Sequence, residues 1–289
     1  MRQLLTKTSL FLLLAGASLM MYFFIVDYAE NKTANNGIFV FGDSQTYQGL
    51  DLNTLHTEFD LPIYSAARHG AGVYDFLVFT KYVPDNAKVI VGFSKSMLLR
   101  EKEKDFNQLG LSASALIDLK KNGYSIAEIR EIAHNNLLPK KVFRSSHNLY
   151  PNNTFEQDSL IQKIKKSYTK LFSETPDYLN DKMALLETAM LNLKNKNCTV
   201  VIIGFPYHEE LVEIESSSKV GRFLNQFEDG CIAEYLDNNT DTLWLNDNVQ
   251  NMYDMTHLNT QAAQNASSKI VSTGFEKNIY ISINGGIAH

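Results

Sequence analysis

Three side chains of this sequence have the types and the order that nucleophilic catalysis by a serine requires. Ser44 follows the apolar run Ile38–Phe41 after two residues, and Asp254 precedes His257 by three residues near the other end of the chain. A serine hydroxyl becomes nucleophilic when an imidazole within hydrogen-bond reach accepts its proton and a carboxylate orients that imidazole. A spacing of three lets the carboxylate reach Nδ1 while Nε2 faces the serine. These residues predict a Ser-His-Asp site.

The elements that would position these side chains are short apolar strands that alternate with helices. Continuous apolar strands are typical of a parallel sheet covered on both faces. We therefore predict a three-layer α/β/α fold with a central, mainly parallel five-stranded sheet. The predicted strands are 38–41, 62–65, 87–93, 199–205 and 242–245. The clearest predicted helices are 73–82, 182–195 and 261–273.

The topology of such a sheet would join the two distant parts of the site. Ligands of open parallel sheets bind beyond the carboxyl ends of the strands, which is where Ser44 would lie. Each part is weak evidence alone, because Gly-Asp-Ser is also a good turn and helix cap. His208 is a rival base. A further alternative is metal-dependent hydrolysis through His208, Glu209, Asp254 and His257.

The N-terminal residues predict a membrane anchor. Residues 8–26 carry no charge over 19 positions, close to the roughly 20 that cross a bilayer. Arg2 and Lys7 precede this run, and acidic residues follow it, so the body of the protein is expected outside the cytoplasm. A cleaved signal peptide, cut near residues 15–17, is the alternative.

These signals divide the chain into an anchor over 1–27, a tether over 28–37 and one domain over 38–289, with a helical insertion at about 94–181. The formal charge of −5 and the lack of a long basic cluster argue against nucleic acid as a partner. Cys198 and Cys231 either pair in an oxidising compartment or are two buried thiols.

The motifs together resemble those of the SGNH (GDSL-like) hydrolase family. FGDS at 41–44 matches the motif of the family's nucleophilic serine, and DMTH at 254–257 matches its C-terminal Asp-x-x-His motif. The family takes oxyanion donors from a glycine of a second motif, here Gly70 or Gly72 in ARHGAGVYD. Its third motif, Gly-x-Asn-Asp, is replaced here by GFSKS at 92–96, so the donor would be the hydroxyl of Ser94 or Ser96, or backbone N–H groups would suffice.

The resemblance implies a flavodoxin-like SGNH fold, the triad Ser44, His257 and Asp254, and no metal or organic cofactor. The oxyanion hole would comprise Ser44 with Gly70, Gly72 and Ser94. Side chains beside these motifs are the expected substrate contacts: Asp43, Tyr74, His208 and Tyr253.

The anchor makes the layout similar to membrane-anchored, extracytoplasmic SGNH proteins that O-acylate cell-envelope or secreted glycans. This likeness implies an acyltransferase or esterase acting on O-acyl groups, chiefly O-acetyl, of a polysaccharide. Its partners would be an acylated carbohydrate, the membrane through residues 8–26 and a membrane-bound O-acyltransferase. The alternative is a catalytically inactive binding or assembly protein of a polysaccharide-modification system that keeps the fold.

Overall fold

The fold was analysed in a computed structural model of the chain. The structure describes residues 36–99, 113–135, 142–152, 158–205, 207–224, 242–247, 253–275 and 279–285, with separate residues between 8 and 25. The strands are β1 (Ile38–Phe41), β2 (Ile63–Ser65), β3 (Lys88–Phe93), β4 (Thr199–Gly204), β5 (Thr242–Asp247) and β6 (Ile279–Gly285). The helices are α1 (Ser44–Gly49), α2 (Leu52–Phe59), α3 (Val73–Tyr82), α4 (Ser96–Leu99), α5 (Ala113–Lys121), α6 (Ile126–Asn135), α7 (Asp158–Leu171), α8 (Leu179–Asn195), α9 (Glu209–Ser217) and α10 (Thr260–Thr273).

The described strands form one six-stranded sheet in the order β2-β1-β3-β4-β6-β5, and every pairing is parallel. The prediction of an α/β fold with a parallel sheet is confirmed, and the five predicted strands are present with small shifts at their ends. The predicted number of strands, five, was wrong, because the described sheet has six. β6 lies between β4 and β5, and its run Ile279–Gly285 alternates apolar with polar residues, so it lacks the continuous apolar pattern of β3 and β4.

Helices cover both faces of this sheet, because the central strands are apolar on both sides. Phe39 and Phe41 of β1 belong to one core, together with α3 and α8. Ile38 and Val40 belong to a second core, together with α2 and α10. The connections from β1 to β2 and from β5 to β6 move along the sheet in the same direction, and their helices pack in the second core. The steps from β2 through β4 run the other way and use the first face, which gives all these crossovers one hand.

The connection between β3 and β4 contains α4 to α8 and an irregular segment, residues 142–152, which we call the arm. Arg144 of the arm forms an antiparallel bridge with Ser65 at the end of β2, and Tyr150 forms a parallel bridge with Asn259. The arm therefore crosses the carboxyl edge of the sheet.

Seven of the residues 8–26, predicted to form the anchor, lie outside the described residues, as does most of the tether. Among the residues that the structure describes, no helix is both long and apolar enough to span a bilayer. Cys198 is a buried free thiol whose Sγ lies 3.7 Å from the carbonyl oxygen of Pro84, and Cys231 lies outside the described residues.

Candidate active site

Helix α1 lies unusually close to the ends of β1 and β3, and two glycines make this possible. A Cβ atom on either Gly42 or Gly92 would lie 1.8 Å from the Thr46 hydroxyl oxygen. A Cβ on Gly49, at the other end of α1, would lie 2.4 Å from the Phe205 ring. Atoms cannot approach so closely, so the missing side chains let α1 seat directly on the strand ends. This seating fixes Ser44, the first residue of α1.

Asp43 caps this helix. Its carboxylate oxygen Oδ1 accepts a hydrogen bond of 2.9 Å from the Gln45 backbone N–H, and the residue is 2% exposed. Such a cap satisfies a backbone donor that the first turn leaves unpaired. Asp43 was predicted to contact substrate, but its burial and its capping bond give it a structural role. Ser44, the next residue, is half-buried.

The loop 253–259 is folded around the Asp254 carboxylate. Oδ1 of Asp254 accepts hydrogen bonds from the backbone N–H groups of Thr256 at 2.7 Å and His257 at 2.9 Å. The Gln45 side-chain amide donates to the Thr256 carbonyl at 2.9 Å, which ties the loop to α1. The loop is thus shaped from within by Asp254 and held against the helix that carries Ser44.

The side chains of Ser44, His257 and Asp254 form one hydrogen-bonded series. His257 Nδ1 donates to Asp254 at 2.9 Å from Oδ2 and 3.0 Å from Oδ1. A carboxylate only accepts, so Nε2 carries the lone pair, and the Ser44 hydroxyl donates to it at 3.1 Å. The side chains of His257 and Asp254 are 15% and 13% exposed, so this series opens to solvent only in part.

Asp254 stays ionised although it is largely buried. Burial alone would raise the pKa of its carboxyl group, but the hydrogen bond from His257, the positive charge of that ring when it is protonated, and hydrogen bonds from Thr256 lower the pKa below its ordinary value. An anion at this position orients the His257 ring and favours its protonated form once the ring has accepted a proton.

The loop between β2 and α3 borders the serine turn. The Arg68 backbone N–H donates to the Gly42 carbonyl at 3.1 Å, which sets the loop beside the turn. The Gly72 N–H donates to the Asp75 carboxylate at 3.3 Å, so this predicted oxyanion donor is already occupied. Gly70 has φ of +80°, which favours glycine, and its N–H has no acceptor among the described residues. Gly70 is therefore the better donor of the two.

The hydroxyl of Ser94, the third predicted oxyanion donor, faces two other polar side chains. Its hydroxyl lies 2.5 Å from that of Ser96, and the Ser96 hydroxyl donates to Asp43 Oδ2 over 3.5 Å. If the Ser96 proton is directed at Asp43, the Ser94 proton must be directed at Ser96. Ser94 is only 3% exposed. In this arrangement its hydroxyl supports the turn and is not offered to an oxyanion.

Two stacked tyrosines, Tyr150 and Tyr253, lie beside His257, and only Tyr253 was predicted from the sequence. Tyr253 was predicted as a substrate contact, and Tyr150 of the arm stacks on it with ring centroids 4.1 Å apart and an angle of 8° between the planes. Tyr150 also meets the His257 ring edge-on at 5.4 Å. No sequence pattern marked Tyr150, because it lies in an irregular segment more than 100 residues from its contacts.

The two remaining predicted contacts lie elsewhere. Tyr74, the second residue of α3, is 1% exposed within the core, so it cannot meet a substrate and that prediction was wrong. His208 precedes α9, where its Nδ1 accepts from the Glu210 N–H at 3.4 Å, and its own N–H donates to the Met255 carbonyl at 2.9 Å. His208 thus stabilises the loop that contains Asp254 through its backbone N–H. Within the described ranges, no group of three or more His, Cys, Asp or Glu side chains is placed to hold a metal ion.

Comparison with known proteins leaves the family of this chain open: no protein-family model matches it, and no curated protein matches it either. Its function is therefore inferred from the geometry of the site.

Proposed function

We propose that this chain is a serine acyltransferase or esterase of the SGNH type that acts on O-acyl groups, chiefly O-acetyl, of a cell-envelope or secreted polysaccharide. One observation carries the proposal: the Ser44 hydroxyl, the His257 imidazole and the Asp254 carboxylate are hydrogen-bonded in the order that activates a serine. The strand order 2-1-3-4 at the serine end of the sheet also agrees with the flavodoxin-like arrangement of that family.

In the first half of the reaction, His257 Nε2 accepts the Ser44 proton while Ser44 Oγ attacks the ester carbonyl carbon. The carbonyl oxygen becomes an oxyanion that accepts hydrogen bonds from the backbone N–H groups of Ser44 and Gly70. The tetrahedral intermediate then collapses, the ester C–O bond breaks, and the leaving alkoxide takes the proton from His257. The product of this half is an acyl-serine.

In the second half, a hydroxyl group attacks the carbonyl carbon of the acyl-serine while His257 accepts its proton. The bond from that carbon to Ser44 Oγ then breaks, and Oγ takes the proton back from His257. A sugar hydroxyl makes the enzyme a transferase, and water makes it an esterase. Asp254 holds the imidazole in place throughout and stabilises its charged form.

The N-terminal sequence extends this proposal to the location of the reaction. An anchor over residues 8–26 would hold the domain outside the cytoplasm, where envelope or secreted glycans are present. A membrane-bound O-acyltransferase that delivers acyl groups across the bilayer is the expected partner.

The test is covalent labelling of the detergent-purified full chain with a fluorophosphonate serine probe. We expect labelling of the wild type and its loss in Ser44→Ala and His257→Ala. Ser125→Ala, which removes an exposed serine before α6, is the matched control and should label normally. Turnover of p-nitrophenyl acetate with and without oligosaccharide acceptors then separates transfer from hydrolysis. A folded wild type that does not label would overturn the proposal.

A second candidate function, a non-catalytic binding or assembly protein, is favoured by one observation. Ser94 occupies the place of the family's oxyanion asparagine, and its hydroxyl faces Ser96. Loss of one oxyanion donor costs about 10²–10³ in rate. Such a protein would bind glycan and fail to label, so the same experiment separates the two functions.

A further inference from the structure

We propose that Arg144 of the arm forms a subsite, beside Ser44, for an anionic group of the glycan, either a carboxylate or a phosphate. This inference rests on the proposed function and names its substrate class: an acidic polysaccharide rather than a neutral one.

The position of Arg144 is fixed by its backbone. Its N–H donates to the Ser65 carbonyl at 2.7 Å, and its carbonyl accepts from the Ser65 N–H at 3.0 Å. The guanidinium carbon lies 6.0 Å from the centre of the Tyr47 ring. Tyr47 follows Ser44 by three residues on α1, and side chains at this spacing are neighbours, about 5–6 Å apart at Cβ. Arg144 thus lies next to a side chain that neighbours Ser44 on α1.

Arg144 is exposed, and no carboxylate among the described residues forms an ion pair with it. The acidic side chains of this region are directed elsewhere. Asp43 accepts from the Gln45 N–H, Asp51 from the Asn53 N–H and the Thr54 hydroxyl, and Asp75 from the Gly72 N–H. Within the part of the chain that the structure describes, therefore, Arg144 is an exposed cation with no carboxylate paired to it.

The charge of Arg144 contributes to lowering the pKa values of two neighbouring side chains, Arg68 and His69. Burial is the largest cause that lowers the pKa of Arg68 to about 10, and the charge of Arg144 is the second. The pKa of His69 is lowered by burial first and by the charge of His257 second. Asp43 raises this pKa, and the charge of Arg144 lowers it by a smaller amount. The neutral His69 accepts a hydrogen bond of 3.1 Å from the Gln48 amide on α1. Arg144 thus contributes positive charge here, which Asp43 and Asp75 oppose, on a chain whose formal charge is −5.

A guanidinium group suits this task because its planar donors match the two oxygens of a carboxylate or a phosphate. The negative charge of the whole chain repels a polyanion at long range, so an acidic glycan needs a dedicated cation at the point where it binds. The Tyr47 ring lies beside Arg144, and the Tyr150–Tyr253 pair lies beside His257.

The test measures how oligosaccharides protect Ser44 from a fluorophosphonate probe, a readout that does not depend on whether the enzyme transfers or hydrolyses. The ligands are trigalacturonate, a glycerol phosphate trimer and maltotriose, which offer carboxylates, phosphates and no charge. The full chain is compared with Arg144→Gln, Arg144→Lys and Arg130→Gln, which removes an exposed arginine of α6.

We expect one of the two anionic trimers to protect at about tenfold lower concentration than maltotriose, and the identity of that trimer assigns the anion. Arg144→Gln should remove this advantage, Arg144→Lys should keep part of it, and Arg130→Gln should keep all of it. Raising the salt from about 0.05 to 0.5 M should weaken the advantage because the subsite is exposed.

Two results would overturn the inference. Equal protection by maltotriose, or an unchanged preference in Arg144→Gln, would remove the anionic subsite and leave the proposed catalytic function intact. A wild type that does not label at all would remove the proposed function and this inference with it.

Discussion

The imidazole of His147, in the arm, lies 2.6 Å from the Ser65 hydroxyl at the end of β2. The other ring nitrogen, Nδ1, donates to the Leu50 carbonyl at 3.1 Å. A carbonyl only accepts, so Nε2 carries the lone pair and receives the Ser65 proton. One neutral histidine therefore joins the arm to β2 and to the segment after α1, two elements that frame Ser44.

This arrangement predicts that His147 makes the fold sensitive to acid. Burial is the main cause that lowers the pKa of His147 to about 4, from an ordinary value of 6.5. Between these values the unfolded chain binds a proton that the folded chain does not, so the free energy of unfolding falls as the pH falls from 6.5 towards 4. We expect about 1–2 kcal/mol of this loss between pH 7 and 5 to be absent in His147→Gln, measured by urea unfolding.

The control for that prediction is His56→Gln, which removes an exposed histidine of α2 and should leave the pH dependence as in the wild type. If His147→Gln loses stability on acidification as steeply as the wild type does, another group is responsible.

Replacing the carboxylate of the proposed triad should abolish most activity without unfolding the chain. In Asp254→Asn, the side chain loses the charge that stabilises a protonated His257, and we expect labelling by fluorophosphonate to slow by about 10³–10⁴. Thermal unfolding should shift only slightly, because an amide oxygen still accepts from the N–H groups of Thr256 and His257. Asp60→Asn, at an exposed acidic residue after α2, is the matched control. An Asp254→Asn protein that labels at the wild-type rate would exclude a role for this carboxylate.

The close approach of α1 to the sheet predicts a specific steric conflict and its relief. In Gly92→Ala the new methyl group would lie 1.8 Å from Thr46 Oγ1, and we expect a loss of about 3 kcal/mol in the free energy of unfolding. In the double variant with Thr46→Ala the oxygen is gone, so more than about 1 kcal/mol should be recovered. Chemical denaturation of the four proteins in this cycle gives the coupling energy. Strict additivity would show that the two positions do not touch.

Ser94→Ala should have a small effect, because the Ser94 hydroxyl is directed at Ser96 and the proposed oxyanion donors are the backbone N–H groups of Ser44 and Gly70. We expect the labelling rate to fall by less than about tenfold, whereas removal of a true oxyanion donor costs about 10²–10³. Ser96→Ala serves as the comparison, since it breaks the same series of hydrogen bonds one residue further along. A hundredfold loss confined to Ser94→Ala would mean that this hydroxyl turns towards the substrate during the reaction.

The parts of this molecule that could be predicted from sequence depend on local patterns. The apolar runs of β1, β3 and β4 and the three-residue spacing of Asp254 and His257 are properties of neighbouring residues. Tyr74 shows how such reasoning fails: it lies next to the Gly70–Gly72 loop in sequence, but as the second residue of α3 it is turned into the core.

The contributions of the arm could not be predicted in this way. Arg144, His147 and Tyr150 are positioned by contacts with Ser65 and Asn259, which are about 80 and 109 residues away, and no periodicity marks the segment. β6 was missed for a related reason. Its alternating pattern is that of a half-covered strand, and only its place between β4 and β5 makes it part of the sheet.

The order of the chain has a consequence for its synthesis. Ser44 and His257 are 213 residues apart, and the two side chains proposed to activate the serine, Asp254 and His257, are both made long after it. The ribosome synthesises Ser44 early and His257 late. Under the proposed function, the serine therefore remains an ordinary alcohol until the segment that carries Asp254 and His257 has been made and has folded against α1.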